Sequence, residues 1–221
     1  MILKNLFIFA IFSMIGWIIE VIYRSYKNKK FINPGFLTGP AIPLYGFGCV
    51  IINSICNIFS KINSDYKILL IVLISMIILT SLELLTGIVM VELFNTKLWD
   101  YSNEKYNYQG QICLKFSLAW GILVLLFYLC IYPWLNNFAL KLSNSNIALI
   151  LLGIYYIVFI IDLSFSIDLL SKISKYSKKM QKIINLELFK KESLKENSKM
   201  FFDKLYLYKH INNYLKEMKK K

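Results

Sequence analysis

The stretch ILLIVLISMIILTSLELLTGIVMV, residues 68–91, decides the fold class, because Glu83 is the only charged residue in it. About 20 apolar residues in a helix are enough to cross the hydrocarbon core of a bilayer. An ionised carboxylate at that depth is costly unless it is paired, so such a residue usually has a partner or a function. The stretch therefore predicts a membrane-spanning helix that carries Glu83 into the interior of a helical bundle.

Apolar stretches of similar length recur along the whole chain. Hydrophobic residues make up 57% of its 221 residues, which is above the share in a typical soluble domain. In lipid the backbone must satisfy its own hydrogen bonds, so stretches of this length are helices. The fold class is therefore all-α: a polytopic membrane protein with about five transmembrane helices. The predicted spans are residues 3–23, 38–60, 68–92, 112–135 and 147–170.

Positive charge is concentrated at the C-terminal end of the chain. Residues 1–170 carry 11 Lys or Arg against 8 Asp or Glu, whereas residues 171–221 carry 15 Lys against 5 acids. Basic segments close to membrane spans stay in the cytoplasm. We therefore predict a transmembrane domain over 1–170 and a cytoplasmic, basic, amphipathic helical tail over 171–221. Five spans in the plasma membrane then place the N-terminus outside.

The segment 31–48 contains three prolines and four glycines among apolar residues. Proline removes a backbone donor and blocks a helical hydrogen bond, and irregular backbone at membrane depth must be covered by protein or water. The segment predicts a broken or re-entrant lead-in to helix 2, with free backbone groups that could contact a solute. A kinked helix end that is packed for structural reasons is the alternative. The candidate binding residues here are Gly39, Pro40, Pro43 and Tyr45.

Three acids within the spans are further candidate binding residues: Glu20, Glu83 and Asp162. Glu20 can pair with Arg24, four residues later, either at the site or simply as an ion pair at a helix end. Glu92 lies nine residues after Glu83, about half a turn out of phase, so both cannot face the bundle centre. Under the predicted orientation these acids lie in the cytoplasmic half of the bilayer. Polar residues in the outer half look too sparse for a relay across the whole membrane.

The connection over residues 94–111 mixes aromatic and amide side chains. Trp and Tyr at the end of a span are usually interfacial anchors. The alternative is a cytoplasmic loop that folds back over the polar centre, with Asp100, Asn107 and Gln111 as contacts. Lys115, at the start of the next span, is then a candidate partner for Glu83 or Asp162.

Several kinds of site are not expected. The four cysteines have spacings that match no zinc or redox motif, and His210 is the only histidine, so we predict no metal site, no cofactor and no catalytic residues. The chain contains no Gly-x-x-x-x-Gly-Lys-Ser/Thr loop for binding ATP. The basic tail suits an anionic membrane surface or a docking partner. Because no nucleic-acid-binding motif accompanies it, we expect membrane lipids and no nucleic acid as partners.

A series of motifs in a fixed order resembles one family over about residues 5–170. The motifs are Gly16-Trp-Ile-Ile-Glu20, Gly35-Phe-Leu-Thr-Gly-Pro-Ala-Ile-Pro-Leu-Tyr-Gly46, Glu83…Thr86-Gly87…Glu92, Trp99-Asp-Tyr-Ser102 and Asn107…Gly110-Gln-Ile-Cys113…Ser117…Trp120-Gly121. The chain is similar to the bacterial membrane proteins called putative ABC-transporter type IV, or CmpB-like permeases. The resemblance implies a permease-like role beside a separate ATPase subunit, and it transfers no catalytic residues.

Three functions stay open on the sequence alone. The first is a transport component, assembled as a homo-oligomer, whose acids and broken second helix bind a cationic or polar solute. The second is a membrane scaffold or regulator that recruits a partner through its tail. The third is a membrane-embedded enzyme in which Glu83 and Asp162 act on a lipid. No His or Cys cluster supports the third, so we predict that the chain is not an enzyme.

Overall fold

The computed structural model describes residues 2–183, with side chains up to Tyr176. Residues 171–183 of the predicted tail are helical, whereas residues 184–221 lie outside the described residues, so the amphipathic helices predicted there stay a prediction. The chain divides into two compact units, Met1–Ser171 and Lys172–Lys221, and the site lies in the first. The elements are α1 (Ile2–Asn28), α2 (Pro43–Phe59), α3 (Lys67–Phe94), β1 (Asn107–Tyr108), β2 (Ile112–Cys113), α4 (Leu114–Leu126), a π-helical turn (Phe127–Ile131), α5 (Tyr132–Ser143) and α6 (Asn146–Ile183).

The described chain is almost entirely helical, and its longest helices are apolar enough to cross a membrane. Four segments meet that length and composition: α1, α3, α4 continued through α5, and residues 146–176 of α6. The 17-residue helix α2 is apolar but shorter. The only strands in the described part are the two residue pairs of β1 and β2, which run antiparallel. The protein is therefore an all-α polytopic membrane protein, as its composition predicts.

The second apolar segment begins later than the sequence suggests. Residues 30–42 form no helix, and α2 starts at Pro43, which occupies its first turn. Proline suits that position because it has no N–H to leave unpaired. The irregular segment lies against α1: Ile42 N donates to Ser13 O at 3.0 Å, and Trp17 Nε1 donates to Asn33 Oδ1 at 2.6 Å. The start predicted at residue 38 is thus wrong, whereas the broken lead-in to the helix is observed.

The fourth span is longer than predicted and contains a π-helical turn. Pro133 lies at the start of α5 and cannot donate a backbone hydrogen bond, so the regular helical ladder is interrupted just before it. The Tyr132 N–H bonds to Phe127 O instead, five residues back. The helix then continues to Ser143, so the connection expected over residues 136–146 shrinks to Asn144 and Ser145.

The core lies between α1, α2, α3 and the α4–α5 helix. The side chains of Ile8, Ile71, Val124 and Leu135 are fully buried in one cluster. Helix α6 packs on α1 through aromatic contacts, such as Phe9 with Phe159 at 5.6 Å between ring centroids. Most of the α6 surface stays exposed and apolar, as expected for a helix that faces lipid.

Candidate functional site

Glu83 is the most buried acid of the described chain, with 4% of its surface exposed. It lies on the face of α3 that also buries Ser75 and Gly87. Tyr101 Oη donates to Glu83 Oε1 and Trp120 Nε1 donates to Glu83 Oε2, both at 2.9 Å. Both donors are neutral, and no described Lys, Arg or His forms an ion pair with Glu83. Its carboxylate therefore has hydrogen bonds but no counter-charge.

The half-turn offset between the two acids of α3 has the predicted result. Glu83 faces the interior, whereas Glu92 is exposed at the end of the helix. A carboxylate at a helix end can reach water or lipid headgroups, so it needs no protein partner. Glu92 is therefore a suitable control for Glu83 in experiments.

The connection after α3 folds back over that helix, which is one of the two arrangements that the sequence left open. Gln111 is buried, and its side chain lies directly against Gly87, where an added Cβ would come within 2.1 Å of Gln111 Oε1. Trp99 Nε1 donates to Gln111 O at 2.7 Å. The close approach needs a glycine at position 87. It holds the loop where Tyr101 reaches Glu83.

Asp100 and Asn107 shape this loop and do not contact Glu83. Asp100 Oδ1 accepts a hydrogen bond from Ser102 N at 3.0 Å. Asp100 Oδ2 lies 3.1 Å from Lys97 Nζ. Partial burial raises the pKa of Asp100, but the hydrogen bonds from Ser102 and Lys97 outweigh it and hold this pKa below its ordinary value. Asn107 donates to two backbone carbonyls of the same loop. Both residues thus position Tyr101, and their contact with a solute stays a prediction.

Lys115 does not take the partner that the sequence suggested. Its Nζ lies 3.0 Å from Glu104 Oε1; the Lys115 side chain is exposed and the Glu104 side chain is partly exposed. The expected pairing with Glu83 or Asp162 is therefore wrong. Lys115 is the second residue of α4 and meets the connecting loop, where an exposed ion pair contributes little stability.

A second acid, Glu20, is separated from Glu83 by two neighbouring aromatic rings. Glu20 pairs with Arg24 at 2.8 Å and accepts Tyr45 Oη at 3.0 Å. The ring of Tyr45 lies 6.1 Å from that of Trp120, centroid to centroid. Trp120 in turn donates to Glu83, so the two acids flank two rings. The carboxylate cluster comprises Glu20, Tyr45, Glu83, Tyr101 and Trp120.

Asp162 has a different role from the other two acids. Its carboxylate accepts hydrogen bonds from Thr38 N at 3.1 Å, from Gly39 N at 2.9 Å and from the Thr38 hydroxyl. The backbone amides that the sequence offered to a solute are therefore occupied by Asp162. Pro40 is exposed and Pro43 begins α2, so neither belongs to the carboxylate cluster. Asp162 fastens the irregular segment to α6.

Sequence reasoning missed Tyr101 and Trp120 as partners of Glu83. Buried Trp and Tyr usually need a hydrogen-bond partner for the N–H or O–H, which was the available signal. The partner itself could not be read from the sequence, because Trp120 lies 37 residues from Glu83 along the chain. No group of three or more His, Cys, Asp or Glu residues that could hold a metal ion occurs within the described residues.

Comparison with known proteins identifies the family. A family model described as Putative ABC-transporter type IV matches residues 7–167, which include every residue of the carboxylate cluster. Neither a search of curated proteins nor a search of solved structures gives a match. Because the matched region covers most of the chain, this protein belongs to the Putative ABC-transporter type IV family of membrane proteins.

Proposed function

We propose that the protein is a permease-like component of a transport system and that its carboxylate cluster binds a cation. Family membership supports the transport role. The observation that carries the proposal is the state of Glu83: buried, inside a helix long enough to span the membrane, and without a basic partner among the described residues. A charge in that position needs a cation or a proton to offset it.

The rings around the two acids favour an organic ammonium group as the solute. Tyr45, Tyr101 and Trp120 present aromatic surface beside the carboxylates, and cations bind to the faces of such rings. Calcium and magnesium ions take six or more oxygen ligands, which two carboxylates among aromatic rings do not provide. The solute class that suits this chemistry is therefore an alkylammonium ion.

The transport role also requires that the carboxylate cluster open to one side of the membrane and that other subunits take part. Arg24 and the lysines at positions 27, 29 and 30 follow Glu20 closely, and basic residues at that distance from a span favour the cytoplasm. The carboxylate cluster then opens to the cytoplasmic side. A separate ATPase subunit supplies energy, and a homo-oligomer completes the pathway around the short helix α2.

A scaffold or regulator is the second candidate, and one observation favours it. Each of the three acids bonds across elements: Glu20 to α2, Glu83 to α4 and the loop, and Asp162 to the irregular segment. Acids that only hold the bundle together would give the same contacts. The enzyme alternative gains no support, because Asp162 is already occupied by backbone amides.

A titration with tetramethylammonium chloride, followed by tryptophan fluorescence of the purified protein, tests the proposal. Trp120 bonds directly to Glu83, so binding at the cluster changes its emission. We expect Glu83→Gln to weaken binding at least about tenfold, since a lost charge pair at a buried site costs more than 1.4 kcal/mol. Glu92→Gln, on the exposed end of the same helix, should bind as wild type does. Failure of the wild type to bind, or equal binding by Glu83→Gln, would overturn the proposal.

A further inference from the structure

The interior of the bundle contains polar atoms that no described group pairs with. Native proteins almost always give a buried polar atom a hydrogen bond, either to protein or to ordered water. Ser13 and Ser75 are fully buried and Asn53 is nearly so. The unpaired atoms are Asn53 Oδ1, Ser75 Oγ and Thr80 Oγ1, whereas the buried hydroxyls of Ser13 and Tyr155 lie beside each other.

The orientation of these hydroxyl groups is unusual when compared with other serines of the same helices. Ser81 and Ser164 are exposed, and each donates at 2.8 Å to its own helix carbonyl four residues earlier. That bond is the usual way in which a helical serine satisfies its hydroxyl group. Ser75 and Ser13 lack this bond and turn their hydroxyls into the interior. Their partners therefore lie in the interior.

The unpaired atoms extend away from the carboxylate cluster. Ser75 and Glu83 lie on the same buried face of α3, eight residues or about 12 Å apart along the axis. Ser13 lies seven residues, about 10 Å, before Glu20 on α1, and Tyr155 of α6 lies within hydrogen-bond reach of its hydroxyl, so these two groups can satisfy each other. Thr80 lies between Ser75 and Glu83 along α3, so the unpaired hydroxyls of that helix lead from Glu83 toward the opposite end of the bundle.

Side-chain amides lie at that opposite end. Asn136 Nδ2 donates to Asn57 Oδ1 at 3.0 Å, and Tyr132 Oη donates to the same oxygen at 3.2 Å. Asn53 lies one turn before Asn57 and approaches Asn136 at 3.5 Å. These four residues form the amide cluster, and Asn57 is exposed. The sequence did not predict this cluster of polar groups at the end of the bundle opposite the acids.

We propose that bound water joins the unpaired atoms into a path from the amide cluster to Glu83, and that protons reach Glu83 along it. A hydroxyl group both donates and accepts, so serine, threonine and water can alternate in one chain of hydrogen bonds. At its end a hydronium ion gives a proton to a Glu83 oxygen and leaves water behind. This path goes beyond the solute site, because it supplies Glu83 from the opposite side of the membrane.

The groups around Glu83 allow this exchange. Tyr101 and Trp120 each donate one hydrogen bond to it, and Glu20 with its partner Arg24 lies beyond the rings of Trp120 and Tyr45. Because Arg24 is bonded to Glu20, its charge does not hold Glu83 ionised through a direct contact. Glu83 is therefore the acid that a proton or a solute cation neutralises in turn.

Silver-ion labelling tests whether water occupies the path. Ser75→Cys is introduced into a variant in which the four native cysteines are replaced by alanine, and Ser81→Cys serves as the control on the lipid-facing side of α3. Silver is small enough to take the place of a water molecule, and intact-mass measurement on protein in vesicles counts the bound ions. We expect the thiol of Ser75→Cys to react at least about tenfold faster. Equal rates for the two variants would overturn the path.

Proton uptake into vesicles loaded with a pH-sensitive dye tests the second half of the proposal. Under an imposed membrane potential, the wild type should take up protons faster than empty vesicles, and Glu83→Gln and Ser75→Ala should each slow the uptake at least about fivefold. Ser81→Ala should leave it unchanged. Uptake equal to that of empty vesicles overturns the proton path. Ser75→Ala should still bind tetramethylammonium, so failure of this proposal is distinguishable from failure of the solute site.

Discussion

Glu83 on α3 and Asp162 on α6 look alike in the sequence, since each is an acid within a long apolar helix. In the structure, the two acids accept hydrogen bonds from different kinds of donor. Asp162 accepts two backbone amides and one hydroxyl from the irregular segment. Glu83 accepts one hydrogen bond from each of two aromatic side chains. Backbone amides cannot leave without unfolding the segment, whereas an aromatic side chain can rotate aside.

This difference separates an acid that supports the fold from an acid that can bind. Successive backbone amides form a fixed partial positive charge, which offsets the charge of Asp162. Glu83 has two neutral donors and no described counter-charge, so its charge is only partly offset. The donor type therefore distinguishes the two roles more clearly than the depth of the acid in the membrane does.

The largest effect on stability is expected for Asp162→Ala. This change leaves two amides and the Thr38 hydroxyl without their acceptor, so the free energy of unfolding should fall by about 3 kcal/mol. Asp162→Asn keeps one acceptor oxygen and should cost about half as much. Unfolding in detergent, followed by circular dichroism, measures both. A loss below about 0.5 kcal/mol for the alanine variant would show that the two acids do not differ as described.

Gly87→Ala should have the next largest effect, because it pushes the loop away from Glu83. The added Cβ would lie 2.1 Å from Gln111 Oε1, and such overpacking costs about 2 kcal/mol. Gly153→Ala on α6 is the matched control, since nothing lies within 4 Å of its added Cβ. The control should be neutral or slightly stabilising, because alanine favours a helix. Equal midpoints of thermal unfolding for the two variants would contradict the close contact.

Trp120→Phe should have a smaller effect on the stability of the same region. It removes the N–H that bonds to Glu83 Oε2 and keeps most of the ring. A hydrogen bond to a charged group contributes about 1.5 kcal/mol, and we expect a loss of that size by chemical denaturation. The loss should be smaller when Glu83→Gln is already present, because glutamine keeps one neutral acceptor oxygen for the two donors, and a double-mutant cycle would measure the difference. Additive losses would show that the two residues do not interact.

The smallest expected effect is that of pH on the stability of the loop over residues 100–111. The folded-state pKa of Asp100 lies below its ordinary value, so its contribution to stability is present above the ordinary pKa of about 4 and is lost as the pH falls through the lowered value. The effect is small because Asp100 is well exposed. The protection of residues 100–111 against hydrogen exchange, relative to the intrinsic rate at each pH, should therefore fall below pH 4 in the wild type. Asp100→Asn should lack this change, and the same pH response in both would contradict the role of Asp100.

The fold class was predictable from the sequence because the length of an apolar stretch is a local property. The burial of Glu83 and the exposure of Glu92 were also predictable, since their nine-residue spacing fixes their relative direction on a helix. The partner of Asp162 was not, because Thr38 lies 124 residues away along the chain. The amide cluster was missed for the same reason: Asn57 and Asn136 meet only through the rotation of two helices.

The length of the fourth span was predicted incorrectly for a different physical reason. The fourth span was predicted over residues 112–135. The structure accommodates Pro133 with a π-helical turn, and the helix continues to Ser143. Local propensity describes the cost of such a residue, and packing against neighbouring helices decides whether the helix continues past it.

The central claim is that Glu83, and not Asp162, binds a cation. Its most direct test is the rise in thermal midpoint that tetramethylammonium chloride causes, compared with sodium chloride at equal ionic strength, because a ligand of the folded state stabilises it. We predict a rise for the wild type and for Asp162→Asn, although the latter starts from a lower midpoint, and no rise for Glu83→Gln. An equal rise in Glu83→Gln, or its loss in Asp162→Asn alone, would contradict the account.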